Sequence, residues 1–213
     1  CPHCRCWWTC ENIRRTTWRG FILRMDIQDM AALCFKESKE EQYFGSSFWY
    51  FETPIQQKEC IKWALKYEKD NAQVDPAKSN MGGYQSFSSD DFAELPFFET
   101  IKNTLYEFPS FMFDNWWLNI NRKGDYNKVH THPRSHISGV YYITDNYGAL
   151  TFINPLQHNR LWENRIFGKP MELKVSAKPG DLILFPSDIP HFVDQHNTRN
   201  PRISISFNLY FEY

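Results

Sequence analysis

Three of the chain's seven histidines lie close together in the stretch KVHTHPRSHISGVYYI, from Lys128 to Ile143. The Val, Tyr and Ile residues of this stretch are typical of a β-strand. Side chains alternate along a strand with a period of two, so His130 and His132 are expected on the same face. Two imidazoles on one face can hold one metal ion, because imidazole is a common ligand of iron, zinc and copper. The spacing therefore predicts a metal site that takes a further ligand from elsewhere in the chain.

His191 is the best candidate for that further ligand. It follows the strand-like run DLILF and a PSD bend in the stretch KPGDLILFPSDIPHFV. A tight turn, a buried strand and a second bend would return this histidine to the interior of a barrel. His136 lies beyond a Pro-Arg-Ser turn, and we expect it to support a ligand or face a substrate rather than bind the metal.

The run RISISF, from Arg202 to Phe207, alternates polar and apolar side chains. Inside a barrel, its polar face would line a pocket. A guanidinium binds a carboxylate through two parallel charge-assisted hydrogen bonds, and the hydroxyl of Ser204 can add a third. Arg202 and Ser204 therefore form a candidate clamp for the far end of a dicarboxylic cosubstrate.

The bulk properties fit one domain of ordinary size with a real core. The chain has 213 residues, of which 42% are hydrophobic and 17% aromatic, with a net charge of −1. So small a net charge gives no overall attraction to nucleic acid or to an anionic membrane. There is no apolar run of about 20 residues that could span a bilayer, and no signal peptide is visible. We therefore expect a cytoplasmic protein that binds neither nucleic acid nor membrane.

Residues 1–46 are expected to be a leader of uncertain structure, with one possible helix from Asp26 to Lys39. All six cysteines lie in the first 60 residues, and four of them fall in CPHCRCWWTC. This segment resembles one half of a zinc site, but no second Cys-x-x-Cys follows. We favour unpaired thiols over a structural zinc ion.

Residues 47–213 are expected to form one α+β domain that is mainly β, with helices first and a barrel second. A strand that ends at Pro54 precedes two helices, 56–69 and 96–108, within a helical part of about 55–108. From about residue 109 the apolar spacing changes to short alternating runs separated by turns, as in a jelly-roll or double-stranded β-helix of the cupin-like kind. The predicted strands are 112–121, 127–132, 137–144, 149–153, 171–176, 181–185, 191–194 and 202–211.

The barrel half resembles the 2-oxoglutarate/Fe(II) oxygenases found in marine bacteria and their phages. The resemblance rests on WWLNINRKGDYNKVHTHPRSHISGVYYI, GALTFINP, KPGDLILFPSDIPHFV and RISISFNL, and it extends from about residue 48 to the end of the chain through FETPI and NMGGYQS. It implies a double-stranded β-helix with Fe(II) in the barrel mouth. It also implies that Arg202 and Ser204 hold 2-oxoglutarate, and that O₂ is the co-substrate.

One position departs from the wider group of such enzymes, whose facial triad has a carboxylate where this chain has His132. Three arrangements follow. His132 is the third ligand, or a carboxylate such as Asp125 or Asp188 completes the site, or two histidines suffice with water in the gap. Halogenating relatives have a small residue at this position, so the large side chain of His132 argues against halogenation.

Asn119 and Tyr141, on the strands before and after the histidine pair, are the candidates for contacting the inner end of 2-oxoglutarate. The favoured function is a 2-oxoglutarate- and Fe(II)-dependent dioxygenase that hydroxylates a C–H bond of a small molecule or a protein side chain. Two alternatives remain. One is a cupin-like metal enzyme that does not use 2-oxoglutarate, and the other is a barrel that binds a partner without catalysis.

Overall fold

The computed structural model describes residues 39–44, 46–72, 79–106, 111–147, 149–156 and 171–211. The expectations for the leader through residue 38, including its possible helix and the Cys-x-x-Cys segment, lie outside these residues. Cys60 is described, and it is a buried free thiol.

Twelve strands and two α-helices make up the described part of the chain. The helices are α1 (Gln57–Asp70) and α2 (Phe98–Thr104). The strands are β1 (Lys39–Tyr43), β2 (Ser46–Glu52), β3 (Asn80–Met81), β4 (Tyr84–Gln85), β5 (Phe111–Asn121), β6 (Tyr126–His130), β7 (Ile137–Tyr142), β8 (Leu150–Ile153), β9 (Glu172–Val175), β10 (Asp181–Pro186), β11 (His191–Val193) and β12 (Arg202–Phe211).

The strands form two antiparallel sheets. The larger has the order β1-β2-β10-β7-β12-β5-β4, and the smaller has the order β3-β6-β11-β8-β9. Consecutive strands therefore alternate between sheets through much of the chain, as in a double-stranded β-helix. The predicted jelly-roll is confirmed, and each of the eight strands predicted after residue 109 is present within a few residues of its expected bounds.

Each face of the larger sheet packs against a different partner. On one face, Ile203 and Ile205 of β12 share an apolar cluster with Cys60 and Ala64 of α1 and with Ile101 of α2. Cys60 and Ala64 are four residues apart, so they lie on the same side of their helix. The helices thus cover the outside of the barrel, as the sequence predicted.

The other face of the larger sheet looks into the barrel. Phe48, Val140, Tyr142 and Phe185 pack there against residues of the smaller sheet, such as Phe152. Two apolar layers therefore hold the larger sheet in place from both sides. Along β12, polar and apolar residues alternate. The polar residues lie on this inner face, and the apolar residues face the helices.

Three elements differ from the sequence expectation. Lys39–Tyr43, assigned to the leader, is β1, and it pairs with β2 at the edge of the larger sheet. The part of about 55–108, which was expected to be helical, also contains the short strands β3 and β4. The second helix is shorter than the predicted range 96–108 and spans Phe98–Thr104. In the part of the chain that the structure describes, no helix is both long and apolar enough to cross a membrane.

Gly139 provides a test of the packing between the larger sheet and the helices. It lies opposite Phe207 in the β7–β12 pair, and a Cβ atom at Gly139 would collide with the Phe207 ring. We expect Gly139→Ala to lower the free energy of unfolding by about 1–3 kcal/mol, the usual effect of overpacking. Denaturant unfolding measures this change. The double variant Gly139→Ala/Phe207→Leu should recover part of the loss, and a denaturation midpoint equal to wild type in the single variant would contradict the packing.

Candidate metal and cosubstrate site

His130, His132 and His191 converge at one place in the barrel. One ring nitrogen of each lies within 4.8 Å of those of the other two. His130 and His191 are directly paired residues on the adjacent strands β6 and β11, and their ring centroids are 4.3 Å apart. Nitrogens bound to one metal at about 2.1 Å stand roughly 3–4 Å apart, so small side-chain movements bring these three to a common ion.

Hydrogen bonds determine which nitrogen two of these rings present. Nδ1 of His130 lies 2.8 Å from the carbonyl oxygen of Lys128, and Nδ1 of His191 lies 2.9 Å from that of Ile189. A carbonyl only accepts, so both Nδ1 atoms carry the hydrogen and both Nε2 atoms keep a lone pair. Histidines that bind metals usually donate their second ring N–H in this way. The arrangement suits a metal site.

His191 is also held in the neutral form that binds metals. It is 5% exposed, and its burial lowers its pKa well below the ordinary value. The neighbouring His130 and His132 lower that pKa further, because a second positive charge beside them is unfavourable. A neutral imidazole is the ligand form, so protons compete weakly at this position.

His132 lies just beyond the end of β6 and is held by different contacts. Its backbone N–H donates to the carbonyl of Ser187 at 2.8 Å, and its ring contacts the ring of Trp117, with centroids 5.4 Å apart. The hydroxyl of Ser187 is 2.8 Å from that of Ser138. The position of His132 therefore depends on the buried bend at Ser187 as well as on β6.

A line of side-chain hydrogen bonds continues from Ser138 along the inner face of the larger sheet. Ser138 donates to Asn208, Asn208 to Asn115, and Asn115 to the carboxylate of Asp114, over 2.9, 2.9 and 3.0 Å. An ionised carboxylate only accepts, so Asp114 determines the direction of each bond in the line. Ser187 must then donate to Ser138.

No carboxylate joins the three histidines within the described residues. Asp125 accepts a hydrogen bond from the backbone N–H of Arg122 at 2.7 Å, in the turn between β5 and β6. Asp188 is exposed in the bend before β11. His136 lies apart from the cluster, where its Nδ1 accepts from the backbone N–H of Phe211 at 2.9 Å. His136 is therefore not part of the three-histidine cluster. Its carbonyl accepts from the backbone N–H of Ser187 at 3.0 Å, and its expected supporting or substrate-facing role stays a prediction.

Arg202 is 3% exposed and lies on the inner face of β12. Its Nη1 donates to Oδ1 of Asn121 at 3.0 Å, and its guanidinium carbon lies 5.4 Å from the centre of the Tyr142 ring. Its Nε has no partner, and no described carboxylate lies within ion-pair distance of it. A guanidinium is always charged, and an unpaired buried charge is strongly unfavourable. The position therefore suits an anionic ligand.

Two further buried polar atoms lie on the inner face of the same sheet as Arg202. The hydroxyls of Ser204 and Tyr142 have no hydrogen-bond partner within the described residues, and the two residues are directly paired on β12 and β7. Buried polar groups are seldom left unsatisfied. Together with Arg202 Nε, these hydroxyls are three buried donors without a partner on the adjacent strands β12 and β7. Such a group of donors suits a carboxylate ligand.

Tyr141 does not face the pocket, so the expectation that it contacts the inner end of 2-oxoglutarate is wrong. Its ring stacks on Phe97 at 5.0 Å between centroids, in the layer between the sheet and the helices. Burial raises its pKa to about 12. The neighbouring Tyr142 faces inward instead. Asn119 does line the pocket, where its amide donates to Ser206 at 3.1 Å.

One cavity of about 670 Å³ lies between the histidine cluster and Arg202 and is lined by both. The three histidines and Arg202 line it, together with apolar residues such as Val140, Leu150 and Phe185. Its other wall is polar and includes Asp114 and Arg134. The volume is enough for a small dicarboxylate beside a metal and for a second molecule.

The sequence of the barrel matches a known family. The 2OG-Fe(II) oxygenase family model matches residues 115–208, a range that contains the three histidines, Arg202 and Ser204. Over this range the barrel is therefore similar to the 2OG-Fe(II) oxygenases. The predicted resemblance is confirmed for this range. No curated protein sequence matches the chain.

Solved structures share the fold of this oxygenase domain. HygX from Streptomyces hygroscopicus, with nickel and 2-oxoglutarate bound, has a TM-score of 0.53 at 12% identity over 78% of this chain and 83% of its own. A prolyl hydroxylase from Trichoplax adhaerens, in complex with a hypoxia inducible factor peptide fragment, has a TM-score of 0.53 at 12% identity over 76% and 83%. The epimerase SnoN from nogalamycin biosynthesis has a TM-score of 0.53 at 15% identity over 76% and 77%. At such low identity these likenesses establish the fold.

Several residues of the oxygenase site were missed in the sequence. Tyr142 could have been found from strand phase, because Ser204 and Tyr142 both lie on inward positions. Asn121 could have been found in the same way, since it pairs with Arg202 on β5 and β12. Ser187 carries no sequence signal beyond its place in a bend.

Metal titration tests the three-histidine site of the oxygenase domain. Alanine at His130, His132 or His191 should lower the affinity for Co(II) by about 100-fold or more, because each removes one ligand. The visible absorption of bound Co(II) measures the affinity. His136→Ala is the matched control and should bind like the wild type. Wild-type affinity in His132→Ala would instead favour the arrangement with two histidines and water.

Proposed function

We propose that the oxygenase domain holds Fe(II) through Nε2 of His130 and His191 and through His132, and that it binds 2-oxoglutarate at Arg202. The observation that carries this proposal is that Arg202 lines the same cavity as the three imidazoles and that its Nε has no hydrogen-bond partner among the described residues. Three neutral imidazoles are a donor set that Fe(II) accepts. The bound iron would supply the oxidation that couples the decarboxylation of 2-oxoglutarate by O₂ to hydroxylation of a C–H bond.

The residues around Arg202 hold its fork in one orientation. Asn121 accepts from Nη1, and the Tyr142 ring supports the guanidinium through a cation–π contact. Nε is left for the far carboxylate of the cosubstrate, with the hydroxyls of Ser204 and Tyr142 beside it. Donors fixed before binding need little reorganisation, so the carboxylate gains most of their interaction energy.

The remaining walls exclude water and receive the substrate. Val140, Leu150 and Phe185 line the same cavity with apolar side chains. Asp114 and Arg134 place one negative and one positive side chain in the cavity lining. A small polar molecule or a polar protein side chain fits such a wall. The imidazole of His132 occupies the position where a halide would need room, so we propose hydroxylation rather than halogenation.

The three-imidazole set also suits a cupin-like metal enzyme that does not use 2-oxoglutarate. In such an enzyme Arg202 would remain a buried charge without a partner among the described residues. Anaerobic addition of 2-oxoglutarate to the Fe(II) protein separates the two functions. The oxygenase should give a weak visible charge-transfer band and, with O₂, release succinate. A protein that binds Fe(II) but gives neither would be assigned to the alternative.

Arg202→Ala should weaken 2-oxoglutarate strongly and leave the metal affinity nearly unchanged. Loss of one side of a buried charge pair removes on the order of 2–5 kcal/mol, which is about 30-fold or more in affinity. Arg202→Lys should recover only part, because an ammonium cannot reproduce the two-pronged bond. Tyr142→Phe should lose about tenfold. Titration of 2-oxoglutarate into the anaerobic Fe(II) protein measures each value.

Arg122→Ala is the matched control for the clamp variants. Arg122 pairs with Glu68 at 2.7 Å on the surface, at the end of β5. This variant removes a guanidinium of the same chemistry away from the cavity, and its 2-oxoglutarate affinity should equal that of the wild type. Wild-type affinity in Arg202→Ala would leave the domain without its cosubstrate site.

A further inference from the structure

A line of four hydrogen-bond contacts joins the proposed clamp to a proposed metal ligand. Nη1 of Arg202 donates to Oδ1 of Asn121 at 3.0 Å, and Nδ2 of Asn121 donates to Oδ1 of Asn127 at 3.3 Å. Nδ2 of Asn127 donates to Oγ of Ser79 at 3.1 Å. Oγ of Ser79 lies 3.4 Å from Nε2 of His130. Three side chains on different strands or turns thus connect the two ends of the site.

The direction of every bond in this line follows from Arg202. A guanidinium only donates, so the amide oxygen of Asn121 must face it. The amide nitrogen of Asn121 is then directed to Asn127, whose oxygen must face it in turn. The same reasoning directs the amide nitrogen of Asn127 to Ser79. Neither amide can be turned over without two donors meeting, so the orientation of both is fixed by chemistry.

At the other end, one acceptor among the described residues faces the hydroxyl hydrogen of Ser79, and it is Nε2 of His130 at 3.4 Å. The Nδ1–H of His130 is used on the carbonyl of Lys128, so Nε2 of His130 is an acceptor. Ser79 already accepts from Asn127, and its own hydrogen is therefore free to be donated to Nε2. Nε2 is also the atom that would bind iron. A metal there would take this acceptor away and leave a hydroxyl hydrogen directed into the cavity.

We propose that Ser79 donates this hydrogen to the iron-chelating carboxylate of bound 2-oxoglutarate, and that Asn121 and Asn127 are positioning residues that hold Ser79 for it. The inference rests on the proposed function, because it requires both iron on His130 and the cosubstrate. Ser79, Asn127, His130 and Arg202 all line the same cavity. The line then serves both ends of one ligand, with Arg202 at the far carboxylate and Ser79 at the near one.

A purely architectural role would give a different result. Nδ2 of Asn121 also lies 3.3 Å from Oδ1 of Asn80, whose own amide donates to the carbonyl of Gly83 at 2.6 Å. This branch ties β5 to the β3–β4 turn without reaching Ser79. If the whole network only stabilises the fold, its variants should change the unfolding temperature and leave ligand affinity in the folded protein unchanged.

Four variants separate these possibilities. Asn127→Asp keeps the size and still accepts from Asn121, but its carboxylate cannot donate to Ser79 and instead attracts the hydroxyl hydrogen. Ser79→Ala removes the hydroxyl, and Ser79→Thr retains it. Asn80→Asp is the matched control, since it places the same charge beside Asn121 and leaves the line to Ser79 intact.

The full chain would be loaded with Mn(II) and titrated with N-oxalylglycine, an unreactive analogue of 2-oxoglutarate, and thermal unfolding would verify that each variant is folded. We expect Asn127→Asp and Ser79→Ala to weaken N-oxalylglycine about tenfold, the usual effect of one hydrogen bond to a charged group. Ser79→Thr and Asn80→Asp should stay within about threefold of wild type. Affinity for Mn(II) alone should change less than about threefold in all four.

A spectrum provides the second measurement. The visible band of the anaerobic Fe(II)–2-oxoglutarate protein should move in Asn127→Asp and Ser79→Ala and return to its wild-type position in Ser79→Thr, because the band responds to hydrogen bonds on the chelating group. An architectural role would leave it in place.

Three outcomes would overturn the inference. Wild-type N-oxalylglycine affinity in both Ser79→Ala and Asn127→Asp would end it, even where Arg202→Ala weakens the analogue and the proposed function stands. An equal loss in Asn80→Asp would assign the effect to added charge. Failure of the wild-type protein to bind N-oxalylglycine with Mn(II) would overturn the proposed function and this inference together.

Discussion

A buried guanidinium with no carboxylate beside it among the described residues is the constraint on which the interior of this barrel depends. Arg202 is 3% exposed, and the groups around it are an amide, an aromatic ring and two hydroxyls rather than an acid. Such a charge is tolerated only if the surroundings replace its hydration or a ligand supplies the counter-charge. The inner face of β12 is therefore polar. Its outer face is apolar, and this is why α1 and α2 must cover the sheet.

The three histidines are held by three different means. His191 lies on a strand paired on both sides, with His130 and Phe152 as its partners, and needs little further support. His130 is tied to Arg202 through Asn121 and the residues beyond it. His132 lies outside the strands, and the Ser187 carbonyl holds it. The histidine that stands where related enzymes have a carboxylate is thus also the one with the least regular support.

The sequence was informative where strand alternation is strong. RISISF placed Arg202 and Ser204 inward and predicted β12 correctly. In VYYI the two tyrosines are equivalent by composition, and the phase of β7 relative to the inward Ser204 decides that Tyr142 is the one on the inner face of the sheet. A shift of one residue exchanges the two faces of a strand, so the choice of Tyr141 was wrong.

Other elements depend on partners that are distant in the chain. KEEQY has no apolar face that would indicate a strand, and it becomes β1 only because the edge of β2 is available to pair with it. Asn127 and Ser79 occur in polar stretches without a clear period. Their roles become visible only when β5, β6 and the segment before β3 come together in the barrel.

The proposed clamp and the proposed metal site are also coupled electrostatically, because both would bind the same dianion. Three neutral imidazoles would leave both positive charges of Fe(II) without compensation from the protein, and Arg202 adds another positive charge in the same cavity. A dianionic cosubstrate that reaches both positions offsets two of these charges at once, in a site where apolar walls keep the effective dielectric constant low. A carboxylate in place of His132 would have removed one of them before the cosubstrate arrived. An all-histidine site therefore attracts a dianion more strongly than the usual triad does, and it relies on the dianion more to complete its electrostatic balance.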